Sequence, residues 1–498
     1  MHQISDKKWH IRSVKLFAVA AAVRVFIALF FRITPQEAYY WEFARHPAPG
    51  YFDHPSVTPW TIWIFTKTFG TNVFGIRFGA IIYGIGALLF LWLLARKLWD
   101  ERTAFWVVLT ALCVPLFNTA GMFFTPDPPL VFFWLGGIYF LLSAIENKSW
   151  KFWILSGLFG GMAMLSKYTA AFWFAGAFLF LLLHPDGRKF FKTPKPYAAL
   201  FVSILAFSPE IIWNAQHDWA SFTYQSTRRA GEIKRFRLDY FFGYIGAQFF
   251  AASPVLFVGI WWKSLLSGIC LLKSIFTKIA HELAPEKIIV ASFSLPMMLF
   301  FSTVGLIYWV KLNWLIPAYF FPIAVFVAWS VAKGKKWHIG GLSIAGGTTI
   351  IILFVMLAPF LPVTGEMAST TGWWELAERI QIERAEMDKN TFIFGGEYKV
   401  PAMLAYYLPD KPETAGPDII GRSGFQFAYW VEIDSLIGRD AIFVIDPRWG
   451  FSREHGERLI EEYFDSFERC SDLEIIQAGK KVTTFYIYRC YKYHGIED

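Results

Sequence analysis

The chain of 498 residues is 55% hydrophobic and 19% aromatic, with a positive mean hydropathy. A water-soluble fold of this length has no interior large enough for so much apolar surface, which leaves a polytopic membrane protein. The net charge of +8 is modest, sits mostly in short loops, and calls for no nucleic acid.

Runs of apolar residues long enough to cross a ~30 Å hydrocarbon layer as helices recur from the amino terminus to about residue 361. They number eleven, near 13–31, 74–95, 103–121, 129–145, 152–165, 168–183, 197–213, 240–262, 288–309, 314–332 and 338–361. The pair at 152–183 and an amphiphilic stretch at 264–281 are marginal in length, and one span more or fewer inverts the tail. Basic residues give an independent check. Lys7, Lys8, Arg12 and Lys15 precede the first span, Arg96, Lys97 and Arg102 follow the second, Arg188, Lys189, Lys192 and Lys195 follow the sixth, and Lys333, Lys335 and Lys336 follow the tenth. All lie on one side if the amino terminus is cytoplasmic and the tail external. "AVAAA" imitates a signal-peptidase site, but the apolar core continues beyond it, so the first span is expected to be uncleaved.

Past residue 366 the pattern changes. "GWWELAERIQIERAEM" reads as a helix, "NTFIFGG" as a strand, "VPAMLAYYL" as a helix, "RDAIFVID" as a buried strand, "EHGERLIEEYFDSF" as a helix, and "LEIIQAGKKVTTFYIYRC" as a hairpin turning at Ala478 to Lys480. The expected organisation is a membrane domain over 1–365 and an external α/β domain over 366–498. Cys470 and Cys490 fall in that tail, where a disulfide is chemically permitted. No cysteine or histidine spacing resembles a metal site.

Two loops on the tail side are longer than a connection needs, about 32–72 and 214–239. The second carries Arg228, Arg229, Lys234, Arg235 and Arg237. External basic clusters oppose the topology rule and need another reason: attraction to anionic headgroups, or a grip on a phosphorylated lipid substrate.

The first loop, "ITPQEAYYWEFARHPAPGYFDHPSVTPW", is rich in polar groups. Thr34-Pro35-Gln36-Glu37 fits a capping box, which gives Glu37 a structural reading. A carboxylate at the start of an aromatic helix in the headgroup layer also has the environment of a base with raised pKa. Asp53 and His54 stand between glycine and proline turns, as turn groups or as site residues. The segment at 56–69 is too short to span and is expected to be re-entrant or interfacial. Asp127, before Pro128, reads as an N-cap of the fourth span or as a third acid of the site. Lys167, Lys311 and Asn313 complete a ring of donors on the same side. A lysine at a span end more often snorkels than binds substrate. Arg24, inside the first span, must face protein or water, whereas Arg77 reads as a headgroup anchor.

Four motifs, Glu37-Ala38-Tyr39-Tyr40-Trp41, Gly50-Tyr51-Phe52-Asp53-His54-Pro55, Thr125-Pro126-Asp127 and Lys311-Leu312-Asn313-Trp314, resemble in order and topology the membrane glycosyltransferases that use polyprenyl-phosphate sugars. This group comprises the dolichyl-phosphate-mannose protein mannosyltransferases and bacterial relatives that modify lipid A or lipopolysaccharide. The resemblance covers about residues 14–330 and implies the GT-C fold: an all-α polytopic bundle, here of about eleven transmembrane helices, with juxtamembrane helices and an active site at the outer membrane face. It implies catalytic roles among Glu37, Asp53 and Asp127, phosphate contacts from His54, Lys167, Arg228 and Arg229, and substrate contacts from Tyr40, Lys311 and Asn313. The family's base is usually the aspartate of an Asp-Glu pair, and Gln36 occupies that place here, which shifts the expectation to Glu37 with Asp53 in reserve. The implied partners are a polyprenyl-phosphate sugar donor, a lipid or glycan acceptor and membrane lipids; no cofactor is required, and a divalent metal, possible in relatives, is not indicated here. A P-loop and a dinucleotide fingerprint are both absent from the sequence, as suits a donor without a nucleotide. The competing class is a flippase or non-catalytic binder of lipid-linked sugar. Polar groups concentrated on one face and the lack of paired broken mid-membrane helices argue against it.

Overall fold

The structure, a computed structural model, describes residues 2–228, 236–276, 283–358, 361 and 368–496. The chain opens with α1 (His2–Phe30), followed by α2 (Pro35–Arg45), α3 (Val57–Phe69), α4 (Val73–Leu98), α5 (Glu101–Cys113), α6 (Pro115–Met122), α7 (Asp127–Asn147) and α8 (Trp150–Ser166). Their starts are written locally. Thr34 and Glu37 form the capping box of α2, Asn72 accepts from Gly75 N at the start of α4, and Asp100 accepts from Thr103 N at the start of α5.

Each of the eleven apolar runs is helical over most of its described residues, but they are not equal. Among the described residues eight helices are long and apolar enough to cross a membrane: Asp6–Phe30, Val73–Leu98, Asp127–Asn147, Lys195–Gln216, Pro254–Ser274, Pro285–Val304, Leu312–Ala332 and Trp337–Leu357. The chain is a multi-pass membrane protein. The expected span at 103–121 is broken into α5 and α6, because Pro115 has no N–H to continue the ladder. The run at 240–262 is divided between Leu238–Ala251 and Pro254–Phe276, where Ser253 takes φ 74° before a proline. The marginal pair survives as two shorter helices, α8 with 17 residues and Tyr168–Leu183. Small residues let α8 lie close to Lys195–Gln216: a Cβ added at Gly157 would come within 2.2 Å of Ala199 O, and one at Gly161 within 2.5 Å of Ser203 O. Arg24 faces protein, as an intramembrane cation must, and its Nε donates to Gly121 O at 3.0 Å.

The tail folds as a small mixed-sheet domain. Strands β1 (Phe392–Gly395), β2 (Ala441–Ile445), β3 (Phe464–Arg469), β4 (Leu473–Gln477) and β5 (Lys480–Tyr493) form a sheet in the order β1-β2-β5-β3, with β4 also paired to β5. β1 and β2 are parallel, and the other pairs are antiparallel. Helices Trp373–Ala385, Lys399–Tyr407 and Arg453–Tyr463 complete it. The helix read through "FDSF" ends instead at Tyr463, and those four residues begin β3. The β4–β5 turn lies at Ala478 and Gly479, both at positive φ. Cys470 and Cys490 are free thiols, and Cys470 donates to Glu383 Oε2 at 3.3 Å.

This domain does not sit apart from the bundle. One continuous apolar cluster joins Ile33, Tyr39, Trp41, Phe43, Tyr51, Ile62, Ile76 and Phe124 to Trp373, Leu376, Met403, Leu404, Phe427, Val444 and Phe485. Every residue of α2 from Ala38 to Ala44 is buried. The aromatic helix read as lying in the headgroup layer is enclosed instead, because aromatic side chains around its whole circumference need cover on more than one side.

Candidate active site

A cavity of about 620 Å³ opens where α2, the start of α7, the α8 link and the start of Leu312–Ala332 meet, at the end of the bundle that carries the sheet domain. Its polar lining includes Gln36, Tyr40, His54, Asp127, Lys167, Lys311 and Asn313. Its other wall is apolar, built from Phe172, Phe300, Phe301, Val304 and Ile307. Phe300 and its neighbour Leu299 are nearly half exposed, so this wall continues onto the outer surface of a membrane helix. Four sequence-distant motifs therefore converge on one chamber.

The three acids expected at the site occupy different environments. Asp127 lines the cavity. It opens α7 without capping it, since Pro126 holds the cap position. Its Oδ1 accepts from Lys167 Nζ at 2.7 Å and its Oδ2 from Asn313 Nδ2 at 2.6 Å. Lys167, at the C-cap of α8, is 5% exposed and is thus a buried ion-pair partner rather than a snorkelling lysine.

Asp53 is 8% exposed, and its Oδ1 accepts from Tyr39 Oη at 3.1 Å. The next residue, His54, lines the cavity with its ring 5.6 Å from that of Tyr40. Burial, then the charge of Asp53, pushes the Tyr40 phenol well above its usual pKa, and Asp127 adds to the effect. Tyr40 therefore meets the cavity as a neutral hydroxyl.

Glu37, expected as the base, does not line the cavity. It is fully buried, and both carboxylate oxygens are occupied. Arg77, itself wholly buried rather than a headgroup anchor, donates Nε to Oε1 at 2.7 Å and Nη2 to Oε2 at 2.6 Å. Phe124 N adds a bond to Oε1, and Thr34 N and Oγ1 add two to Oε2. Burial alone would raise the Glu37 pKa, but Arg77 and the N–H groups of Thr34 and Phe124 outweigh it and hold the pKa below the usual carboxylate value. The capping reading is realised and extended: Arg77 also takes the carbonyls of Ile27, Phe31 and Arg32, tying the end of α1 to α2 and α4.

Of the basic loop, Gln225 and Ser226 reach the cavity. The Arg228 side chain and all of Arg229, Lys234 and Arg235 lie outside the described residues. Arg237 pairs with Asp239 at 2.6 Å. Sequence reasoning passed over Glu210, a fully buried acid whose Oε1 accepts from the cavity-lining Tyr168 Oη at 2.7 Å and from Asn214 Nδ2 at 3.1 Å. A single acid inside the apolar run "LAFSPEIIW" was the available signal. Tyr398, whose hydroxyl donates to Gln36 Oε1 at 3.1 Å, comes from the sheet domain and carries no local signal. Among the described residues one trio, Glu42, His46 and Glu413, has ligand atoms close enough for a metal. Arg45 stands among them, donating to both Glu42 oxygens at 3.1 Å and to Glu413 at 2.6 Å.

Residues 53–213 match the family described as dolichyl-phosphate-mannose-protein mannosyltransferase. The chain superposes on ArnT from Cupriavidus metallidurans bound to undecaprenyl phosphate, with a TM-score of 0.63 over 95% of this chain and 97% of that one, at 13% identity. The chain has an ArnT-like fold. A second likeness in fold is to the Archaeoglobus fulgidus oligosaccharyltransferase, with a TM-score of 0.51 and 12% identity over 93% of this chain and 72% of that one. In sequence the chain is 23% identical over 286 residues to the lipid A galacturonosyltransferase RgtD of Rhizobium johnstonii. It is 31% identical over 123 residues to the undecaprenyl phosphate-alpha-4-amino-4-deoxy-L-arabinose arabinosyl transferase of Pseudomonas aeruginosa. These alignments span 57% of this chain and 57% of the first relative, and 24% of this chain and 22% of the second.

Proposed function

We propose that this protein transfers a sugar from a polyprenyl-phosphate donor to a lipid, lipopolysaccharide or other glycan acceptor at the outer face of the cytoplasmic membrane. The observation that carries this reading is a chamber with a charged floor and an apolar wall continuous with the membrane surface. Such a shape suits a ligand whose headgroup is polar and whose tail stays in lipid. The relatives' names, with undecaprenyl phosphate and lipid A among them, support the same chemistry. The orientation rests on the basic clusters: Arg96 pairs with Glu101 and Lys97 with Glu146 at the end of the bundle opposite the chamber, where cytoplasmic charge belongs.

The reaction is a single displacement with inversion. The acceptor hydroxyl oxygen bonds to the anomeric carbon as the bond from that carbon to the phosphate oxygen breaks, and polyprenyl phosphate departs with the electron pair. Asp53, which stands just outside the lining beside the cavity-lining His54, takes the hydroxyl proton. Glu37 is closed off by Arg77, and Asp127 already serves Lys167 and Asn313. Lys167 and Lys311, with His54 when protonated, face the phosphate, and Arg228 and Arg229, which come after the cavity-lining Ser226 and then Thr227 in sequence, are assigned to it by their charge. These cations favour the departing phosphate over the diester because its charge is greater, which is how binding accelerates a step. Tyr40 and Asn313 hold sugar hydroxyls. Direct lining of the chamber favours a second assignment, Asp127 as the base.

The test is incubation of the purified protein with labelled polyprenyl-phosphate sugars and an acceptor extract. The expected outcome is free polyprenyl phosphate together with a glycosylated product. Asp53→Asn should lose about 10²–10⁴ of the rate while still binding donor. If Asp127→Asn alone does so, the second assignment replaces the first. Intact donor across several sugar types, with lipid bound, would assign the protein to the binders or flippases.

A further inference from the structure

We propose that the C-terminal mixed-sheet domain is a working part of the catalytic centre, with Gln426 as a positioning residue that fixes Asp53. This rests on Asp53 being the base. Gln426 is 2% exposed and crosses to the membrane loop twice. Its backbone N–H donates to Tyr39 Oη at 3.1 Å, and its side-chain Oε1 accepts from Phe52 N at 2.6 Å.

These two contacts converge. A backbone N–H only donates, so the Tyr39 oxygen accepts there and its one proton is directed to Asp53 Oδ1 at 3.1 Å. Phe52 immediately precedes Asp53, so the Gln426 side chain holds the peptide from which the carboxylate projects. One residue of the sheet domain thus sets both the hydrogen-bond polarity at Asp53 and the backbone that carries it.

The surroundings make this placement rigid. Tyr39 packs against Tyr398 at 4.6 Å and Phe427 at 5.9 Å, both from the sheet domain. Tyr398 reaches the cavity edge at Gln36. Phe425, just before Gln426, adopts φ 50°, a left-handed conformation that a bulky residue takes only when its surroundings hold it there. A group misplaced by a fraction of an ångström from the attacking hydroxyl loses rate without losing affinity, so the expected signature is in kcat.

The experiment uses the full-length protein in nanodiscs. Gln426→Met keeps the volume and removes the acceptor for Phe52 N. Tyr39→Phe keeps the ring packing and removes the hydroxyl. Each should lower kcat roughly ten-fold, with donor KM within about two-fold of the parent. In an Asp53→Asn background neither should cost anything further, because a residue that acts through Asp53 has nothing left to position. A purely structural role predicts a loss that multiplies with that of Asp53→Asn. That result, or unchanged kcat in both variants beside an inactive Asp53→Asn, overturns the inference alone. A fully active Asp53→Asn protein overturns the base assignment and this inference with it. If Gln426→Met does not fold, the Tyr39→Phe cycle decides.

Discussion

Glu37→Gln tests whether the acid nearest the family's motif is chemistry or architecture. The substitution removes one charge from a pair in which both partners have no solvent exposure. Arg77 would then be a buried guanidinium whose other contacts are the backbone carbonyls of Ile27, Phe31 and Arg32. Breaking a buried pair from one side costs about 3–5 kcal/mol, most of it the uncompensated charge. That is a large share of the ~5–15 kcal/mol that holds typical domains folded. The assay is thermal denaturation in detergent together with the turnover rate per folded molecule. Glu37→Gln should melt far lower and give poor folded yield, while the molecules that do fold keep a substantial rate. Glu37→Gln combined with Arg77→Met should recover part of the stability, because the orphaned charge is gone. The pH dependence has a definite sign. The folded pKa lies below the ordinary 4.5, so the pair's contribution is complete above that value and is lost as pH falls through the depressed folded pKa. A Glu37→Gln protein that melts like the parent yet transfers no sugar would refute this reasoning and return Glu37 to catalysis.

Two further outcomes follow from packing and burial elsewhere. Asp418 is 8% exposed, neither of its oxygens has a hydrogen-bond partner, and burial pushes its pKa from 3.8 to about 6. A raised carboxyl pKa means that stability falls as pH rises from about 3.8 through 6, so Asp418→Asn should stabilise the protein by about 3 kcal/mol at pH 8 and by little at pH 4 in paired melts. Gly157→Leu should separate α8 from Lys195–Gln216, since even a Cβ meets Ala199 O at 2.2 Å. A loss of about 1–3 kcal/mol or more is expected from such overpacking, read as a lower melting temperature, and a parent-like melt would mean that the two helices have room to part.

The bundle was largely legible because transmembrane helices announce themselves by length and composition. Broken cases such as α5 and α6 were misjudged where a proline interrupts an otherwise apolar run. Motifs in the first loop were legible as a set, and they do converge near one chamber. Partners were not. The distinction between Glu37 and Asp53 depends on where Arg77 points, forty residues downstream of Glu37. Nothing in "NVFGIRFGA" separates an arginine bound for the headgroups from one folded inward onto a carboxylate. Asp127 illustrates the same limit, since a proline neighbour suggested a cap while the lysine and asparagine that claim its oxygens come from two other links. Gln426 and Tyr398 lay furthest out of reach, because their contacts cross more than 360 positions and leave no periodicity behind.

The shared apolar cluster between α2 and the sheet domain has a consequence for biosynthesis. The aromatic residues of the first loop leave the ribosome more than 300 residues before the side chains that enclose them, from Trp373 to Phe485. Long-range contacts of this kind close slowly and only after both ends exist. The segment from Ile33 to Tyr51 therefore stays uncovered until residues 373–485 have been made. A chain terminated before residue 373 would insert its helices and still leave the first loop uncovered, so the sheet domain acts as a checkpoint on that loop.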